Sequence, residues 1–199
     1  MREHPDPESL SHQGVVRALV VAVGLALAGA PSMPAPAQAQ QVQPGLSSVY
    51  VQLMASHFGV PAGEASLLVE DMERMEDLPV VLLLARESGL APTVILSRRQ
   101  RGPTSWVQVA QQVQLGAGVF HVEIPADEVD DRIRRSVELF AGTPRAQWAS
   151  LALDDDEVVS LTHVKVLSRH LTVGKGRVLQ AREQAGSWVE SIPHLMGVP

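Results

Sequence analysis

Histidines, clustered acids and one basic run are the side chains whose spacing could do chemistry. His163 and His170 stand seven apart, so a helix would place them on one side, two turns from each other. That is too far for one metal ion unless a third element brings a ligand. His194 is likewise scattered, and His57 and His121 have no acidic partner at a telling spacing. There is no His-Glu-x-x-His and no Gly-x-Ser-x-Gly. Gly174-Lys175-Gly176 is too short for a phosphate loop, lacks the following Ser or Thr, and reads as an exposed turn. Glu70, Asp71 and Glu73 read as a solvated helix face. Arg98, Arg99 and Arg101 form the densest basic patch. A helix end favoured by the local dipole explains them, and a contact for an acidic partner is the functional alternative. No residue is assigned to catalysis, a cofactor or a metal. An enzymatic reading requires a deep cleft that gathers His163, Glu157 or Asp156 with a residue of a second structural unit.

The elements that would position these groups show themselves in a phrase that occurs twice, Ser105-Trp106-Val107 and Ser187-Trp188-Val189. Each copy closes a run of about thirty residues, the length of a helical-hairpin repeat. Hairpin units are expected near 60–86, 89–116 and 171–197, with Leu78 in the Trp place of the faint first copy. Ser105 or Thr104 is a good N-cap, and Trp106, Val109, Ala110 and Val113 then share one helix face. Gly102 and Gly186 sit where a preceding helix must end. Neither helix of a pair can bury its stripe alone, so neighbouring units should stack. Both Trp residues read as core anchors.

The rest of the chain is also helical by pattern. A first helix runs from Ser47 or Ser48 to Phe58, burying Tyr50, Leu53, Met54 and Phe58, and Gly59 ends it. A second covers Glu64 to about Arg74. Asp77 caps a third, with Pro79 in its first turn. Leu78–Ala85 is apolar on nearly every side and is expected to be the most buried element. Val119–Ile124 has strand-like residues but no partner strand, so it is read as a connection. In Asp127–Ala141, Glu128, Asp130 and Asp131 are expected to pair with Arg132, Arg134 and Arg135, four residues on. Trp148 lies in a single helical turn. Asp154 and Glu157 make a capping box for a helix to Leu171. A last helix from Ser187 should kink or stop at Pro193.

The first forty or so residues read as an address rather than a fold. Ala18–Ala30 is apolar after Arg17 and too short to span a bilayer. Pro31–Ala39 ends in Ala37-Gln38-Ala39, a small-residue cleavage site. We expect a signal peptide over 1–39, cleavage before Gln40 and a flexible arm over 40–46, then one helical domain over 47–199. Glu3, Asp6 and Glu8 are out of place in a leader, so synthesis is expected to start near Val15 or Val16. A precursor peptide covering Glu3–Gln13 in mass spectrometry would sink that expectation. The chain has no cysteine, so no disulfide staples it. It carries 16 basic and 22 acidic residues, a net charge of −6, which opposes binding to a phosphate backbone.

The two Ser-Trp-Val units, Asp154-Asp155-Asp156-Glu157 and Val166-Leu167-Ser168-Arg169-His170 resemble a loose group of exported bacterial proteins of uncharacterised activity. The resemblance covers roughly Ala55 to Gly197. It implies an all-helical exported protein with no site residues or cofactor to carry over. The expectation from the sequence is an all-α domain of stacked helical hairpins in the bacterial envelope, exported to the periplasm or beyond. It would bind a protein or peptide partner without catalysis, without nucleic acid and without a membrane span. The alternatives are an enzyme and a nucleic-acid reader. The latter rests on Ser105–Gly116, which resembles the first half of a helix-turn-helix, although no basic recognition helix follows.

Overall fold

The structure is a computed structural model that describes residues 45–102 and 104–197. The expected signal peptide, its expected cleavage site and most of the expected arm lie outside the described residues. Among the described residues there is no β-strand, and nine α-helices with four short 3-10 turns carry the fold. None of these helices is long and apolar enough by itself to cross a membrane.

The helix α1 (Leu46–Phe58) starts one residue inside the expected arm and ends on Gly59, whose φ of 70° closes the last turn. Tyr50, Leu53 and Met54 are buried as their spacing requires. The second helix, α2 (Ala62–Glu70), stops short of the expected Arg74. A 3-10 turn over Met75–Asp77 then runs straight into α3 (Leu78–Ser88). Asp77 was expected to cap α3 with its side chain, but it makes no cap hydrogen bond. Its backbone is already helical, so the chain enters α3 without the break that a cap closes. Every residue of Leu78–Ala85 is buried.

Next come α4 (Pro92–Gln100) and α5 (Trp106–Gln112). Ser105 caps α5: its Oγ accepts from Gln108 N at 3.2 Å, and Gln108 Oε1 accepts from Ser105 N at 2.8 Å. Residues 114–130 form a connector with 3-10 turns at Ala117–Phe120 and Ala126–Glu128 and an extended stretch between them. With no strand beside it, the extended stretch finds donors elsewhere. Lys165 Nζ donates to Val119 O at 2.6 Å, and Lys175 Nζ donates to Glu123 O.

The amphipathic helix α6 (Asp131–Gly142) begins later than expected, which overturns the three anticipated acid–arginine pairs. Glu128 and Asp130 precede the helix, so helical spacing does not apply to them. Glu128 instead accepts from Gly176 N, Arg132 pairs with Asp130, Arg134 with Asp131, and Arg135 with Glu157. Trp148 lies in a 3-10 turn, Arg145–Ser150. The capping box of α7 (Asp155–His170) forms as read, through Asp154 and Glu157. After α8 (Lys175–Ala185), Gly186 takes a φ of 82°. The expected helix from Ser187 gives way to a turn, and α9 (Ser191–Met196) follows. Pro193 is tolerated there because it sits in the first turn of α9, where its missing N–H has no helical acceptor to lose.

The central pair is α3 and α7, which pack on each other and gather the remaining helices around them. Glu157–Val164 of α7 is buried all round, so α3 shares the centre rather than holding it alone.

The two Ser-Trp-Val phrases belong to a repeat longer than a hairpin. The phrases stand 82 residues apart (188 − 106), and up to Arg99 an offset one longer, 83 (172 − 89), carries Gly89 onto Thr172, both with positive φ. The same offset carries Gly59 onto Gly142, Pro61 onto Pro144, Leu78 onto Leu161, Leu84 onto Leu167 and Arg99 onto Arg182. It superposes α1 on α6, α3 on α7 and α4 on α8, while α2 matches the 3-10 turn at Trp148. Leu78 therefore stands opposite Leu161 rather than opposite a Trp. One difference has a plain cause: α7 starts about two turns earlier than α3. The capping acid Glu157 has Arg74 as its counterpart, which cannot accept from an N-cap amide.

Candidate functional site

The repeats interlock through acids at the starts of the central helices. Trp106 N donates to Asp155 Oδ1 at 2.8 Å, and Trp188 N donates to Glu76 Oε1 at 2.7 Å. Arg99 lies over the Trp106 ring at 5.0 Å and Arg182 over the Trp188 ring at 5.6 Å. Arg74 pairs with Asp156 at 2.9 Å and Arg99 with Asp155 at 2.6 Å, both across the repeats. Both Trp side chains are buried.

A cleft of about 610 Å³ opens along this seam, with Asp156, Glu157, Arg182 and Trp188 in its wall. The enzymatic reading asked for such a cleft, yet His163 is not in the wall. His163 is fully buried; its Nδ1 bonds Val159 O and its Nε2 bonds Tyr50 Oη, both at 2.8 Å. A carbonyl can only accept, so Nδ1 carries the proton and Nε2 accepts from the phenol. The ring stacks on Trp188 at 4.6 Å with planes 10° apart. Burial drives the His163 pKa down to about 3, helped by Arg182 and Arg74 and opposed by the Val159 carbonyl. Glu157 is only 4% exposed, and its Oε2 takes hydrogen bonds from Arg135 at 2.6 Å and Asp154 N at 2.9 Å. The imidazole stays neutral and the carboxylate stays committed, so this cleft is held by internal pairing.

The matching cleft of the first repeat, about 450 Å³, is lined by Asp77, Arg99 and Trp106. Burial raises the Asp77 pKa against the pull of Arg74 and the Trp106 indole N–H. Neither Asp77 Oδ1 nor Trp106 Nε1 makes a hydrogen bond of normal geometry. The three arginines expected to meet a partner are placed differently from one another. Arg99 is spent on Asp155, Thr104 O and the Trp106 ring. Arg98 reaches Gln112 O at 3.5 Å, and Arg101 is exposed. His170 meets His57 across 5.7 Å, and burial with Arg86 and His170 lowers the His57 pKa to about 4. No group of three His, Asp or Glu among the described residues is placed to hold a metal. After α5 the chain makes a 3-10 turn and an extended connector, not a second helix that could enter a groove.

A different recess is built by the connector, α6 and the turn at Trp148. His121, Phe140 and Trp148 meet there, with ring centroids 4.3 Å apart for His121–Trp148, 5.0 Å for His121–Phe140 and 5.1 Å for Phe140–Trp148. Val122, Ile124 and Val137 add apolar surface and Glu123, Thr143 and Arg145 polar surface to a lining around about 380 Å³. Trp148 Nε1 donates to Thr143 O at 2.8 Å, which fixes the ring, and Arg145 lies over its face at 5.2 Å. A second pocket of about 300 Å³ shares His121, Val122, Glu123 and Arg145 with the first and adds Lys165, Arg169 and Lys175. Burial lowers the His121 pKa, and Lys165, Arg145 and Lys175 add to that push against Glu123. Burial, reinforced by Arg169, brings the Lys165 pKa down to about 8.

Motif reading missed these residues because they come from five separate stretches. Comparing the two repeats exposes them: Trp148 and Lys165 stand where the first repeat has Ala65 and Leu82. Fold and site together define an all-helical, two-repeat domain that presents an aromatic recess against a basic wall. Comparison with protein-family models, curated proteins and solved structures finds no match.

Proposed function

We propose that this chain is a binding module of the bacterial envelope, exported by its leader, that receives a peptide or a protein segment in the recess at Trp148. The helices pack into a scaffold whose two seam clefts are lined by residues largely paired to one another, while the recess at Trp148 offers aromatic surface. One observation carries the reading: three aromatic rings line an accessible hollow, two of them only half-buried, with the indole held in place by its own N–H. Rigid aromatic surface of that kind supplies binding area at little entropic cost.

Selection of random peptides on the immobilised protein tests it. Peptides should be enriched whose binding is lost in Trp148→Ala, a change at a half-buried surface position. No enrichment, or enrichment indifferent to that substitution, would refute the proposal.

A further inference from the structure

We infer that the basic pocket beside the recess holds an anionic oxo group, so that a ligand lays an apolar or aromatic body on Trp148 and a carboxylate or phosphate among Lys165, Arg169, Lys175 and Arg145. This inference rests on the recess being a ligand seat and adds the chemistry of what enters it.

The charge pattern is the first support. Acids outnumber bases in this chain, 22 to 16. Elsewhere among the described residues six arginines, Arg74, Arg86, Arg99, Arg132, Arg134 and Arg135, each meet a carboxylate, while Arg98, Arg101, Arg177 and Arg182 do not. In the pocket four cations gather with one acid, Glu123, and among the described residues none of the four forms an ion pair. Four cations against one acid repel on balance, and an entering anion relieves that repulsion.

Geometry is the second. Lys165 and Lys175 each spend one N–H on a connector carbonyl, which anchors the ammonium and leaves two N–H donors apiece. Arg145 holds its guanidinium carbon 5.2 Å from the centre of the Trp148 ring and forms no ion pair among the described residues, so its N–H groups can meet a planar carboxylate. The two pockets share four residues and can be bridged by one small ligand. The third support is that the helices carrying these lysines do not need cations there to form, although both lysines also tie the connector. At the positions of Lys165 and Lys175 the first repeat carries Leu82 and Pro92 and folds the same way.

The test is a titration of the full chain followed by Trp148 emission, with Trp106 and Trp188 buried. The probes are N-acetylphenylalanine, its uncharged amide, and phenyl phosphate. The free acid or the phosphate should bind about tenfold more tightly than the amide, as charge-assisted hydrogen bonds require. A preference between these two tells carboxylate from phosphate. Arg169→Gln, at an exposed position clear of the connector, should weaken that advantage and leave amide binding unchanged. Lys175→Gln should weaken acid and phosphate binding more than amide binding, any equal loss reporting the connector it also ties. Equal binding of acid, phosphate and amide overturns the anion site while the recess survives as a seat. No response of Trp148 to any probe overturns both.

Discussion

Acid should destabilise this protein through His163 more steeply than an exposed histidine would allow. The imidazole is buried against Trp188, and its only open nitrogen accepts from Tyr50. Protonation would place a second donor against the phenol inside an apolar core. The Tyr50 pKa is itself pushed well above 10 by burial and by Glu76 and Asp77, so the phenol cannot ionise to receive that proton. In the unfolded chain the imidazole titrates at 6.5, and in the folded protein at about 3. The unfolded state therefore binds the proton first. The contribution is complete above pH 6.5 and drains away as pH falls towards 3. A full unit well inside that window is worth about 1.4 kcal/mol, and because the unfolded imidazole is already half-protonated at pH 6.5, moving from pH 6.5 to 4.5 should cost about 2 kcal/mol. Urea unfolding of the wild type and of Tyr50→Phe/His163→Val at both pH values measures it. The double variant removes donor and acceptor together, and Val80 already occupies the matching place in the first repeat. The titration of His57, also displaced downwards, is common to both proteins and cancels in the difference. The pH-induced loss should be smaller in the variant by about 2 kcal/mol. Parallel losses would refute the assignment of that proton to His163.

Two further substitutions probe the backbone. Gly116 has a φ of 135°, and a Cβ there would lie 2.6 Å from Ala149 Cα, so Gly116→Ala should lower stability by roughly 3 kcal/mol in urea unfolding. Thr172 holds a φ of 55° where the first repeat has Gly89, so Thr172→Gly should raise stability by roughly 0.5–1 kcal/mol, relief of strain outweighing glycine's added chain entropy. An unchanged midpoint for the first, or a lowered one for the second, would show that the strain is relaxed elsewhere.

Local chemistry was readable and distant chemistry was not. The caps at Ser105 and Asp154 follow from residues three apart, and the structure has both. The buried line of α1 and the all-round burial of Leu78–Ala85 follow from composition at helical spacing. The start of α6 was misjudged because Asp127–Asp130 has the charges of a first turn while Pro125 and a 3-10 turn hold it outside the helix. The long repeat is marked in the sequence by the Ser-Trp-Val phrases and by scattered identities such as Gly59 with Gly142, while pairs such as Ile95 and Val178 keep burial and lose identity. The recess left no trace in any one window, because His121, Phe140, Trp148 and Lys175 meet only through packing.

The crossed anchoring of Trp106 on Asp155 and Trp188 on Glu76 bears on how such a chain comes together. A polypeptide of half this length, with one indole turn and one acidic helix start, could make neither bond within itself. The acids stand 79 residues apart (155 − 76) and the tryptophans 82 (188 − 106), so the two bonds are alike in kind but not in register. The order in which such a chain is assembled therefore matters: each indole turn finds its acid only when the other half is present, and a chain cut in the connector at residues 114–130 would leave both amides without that partner.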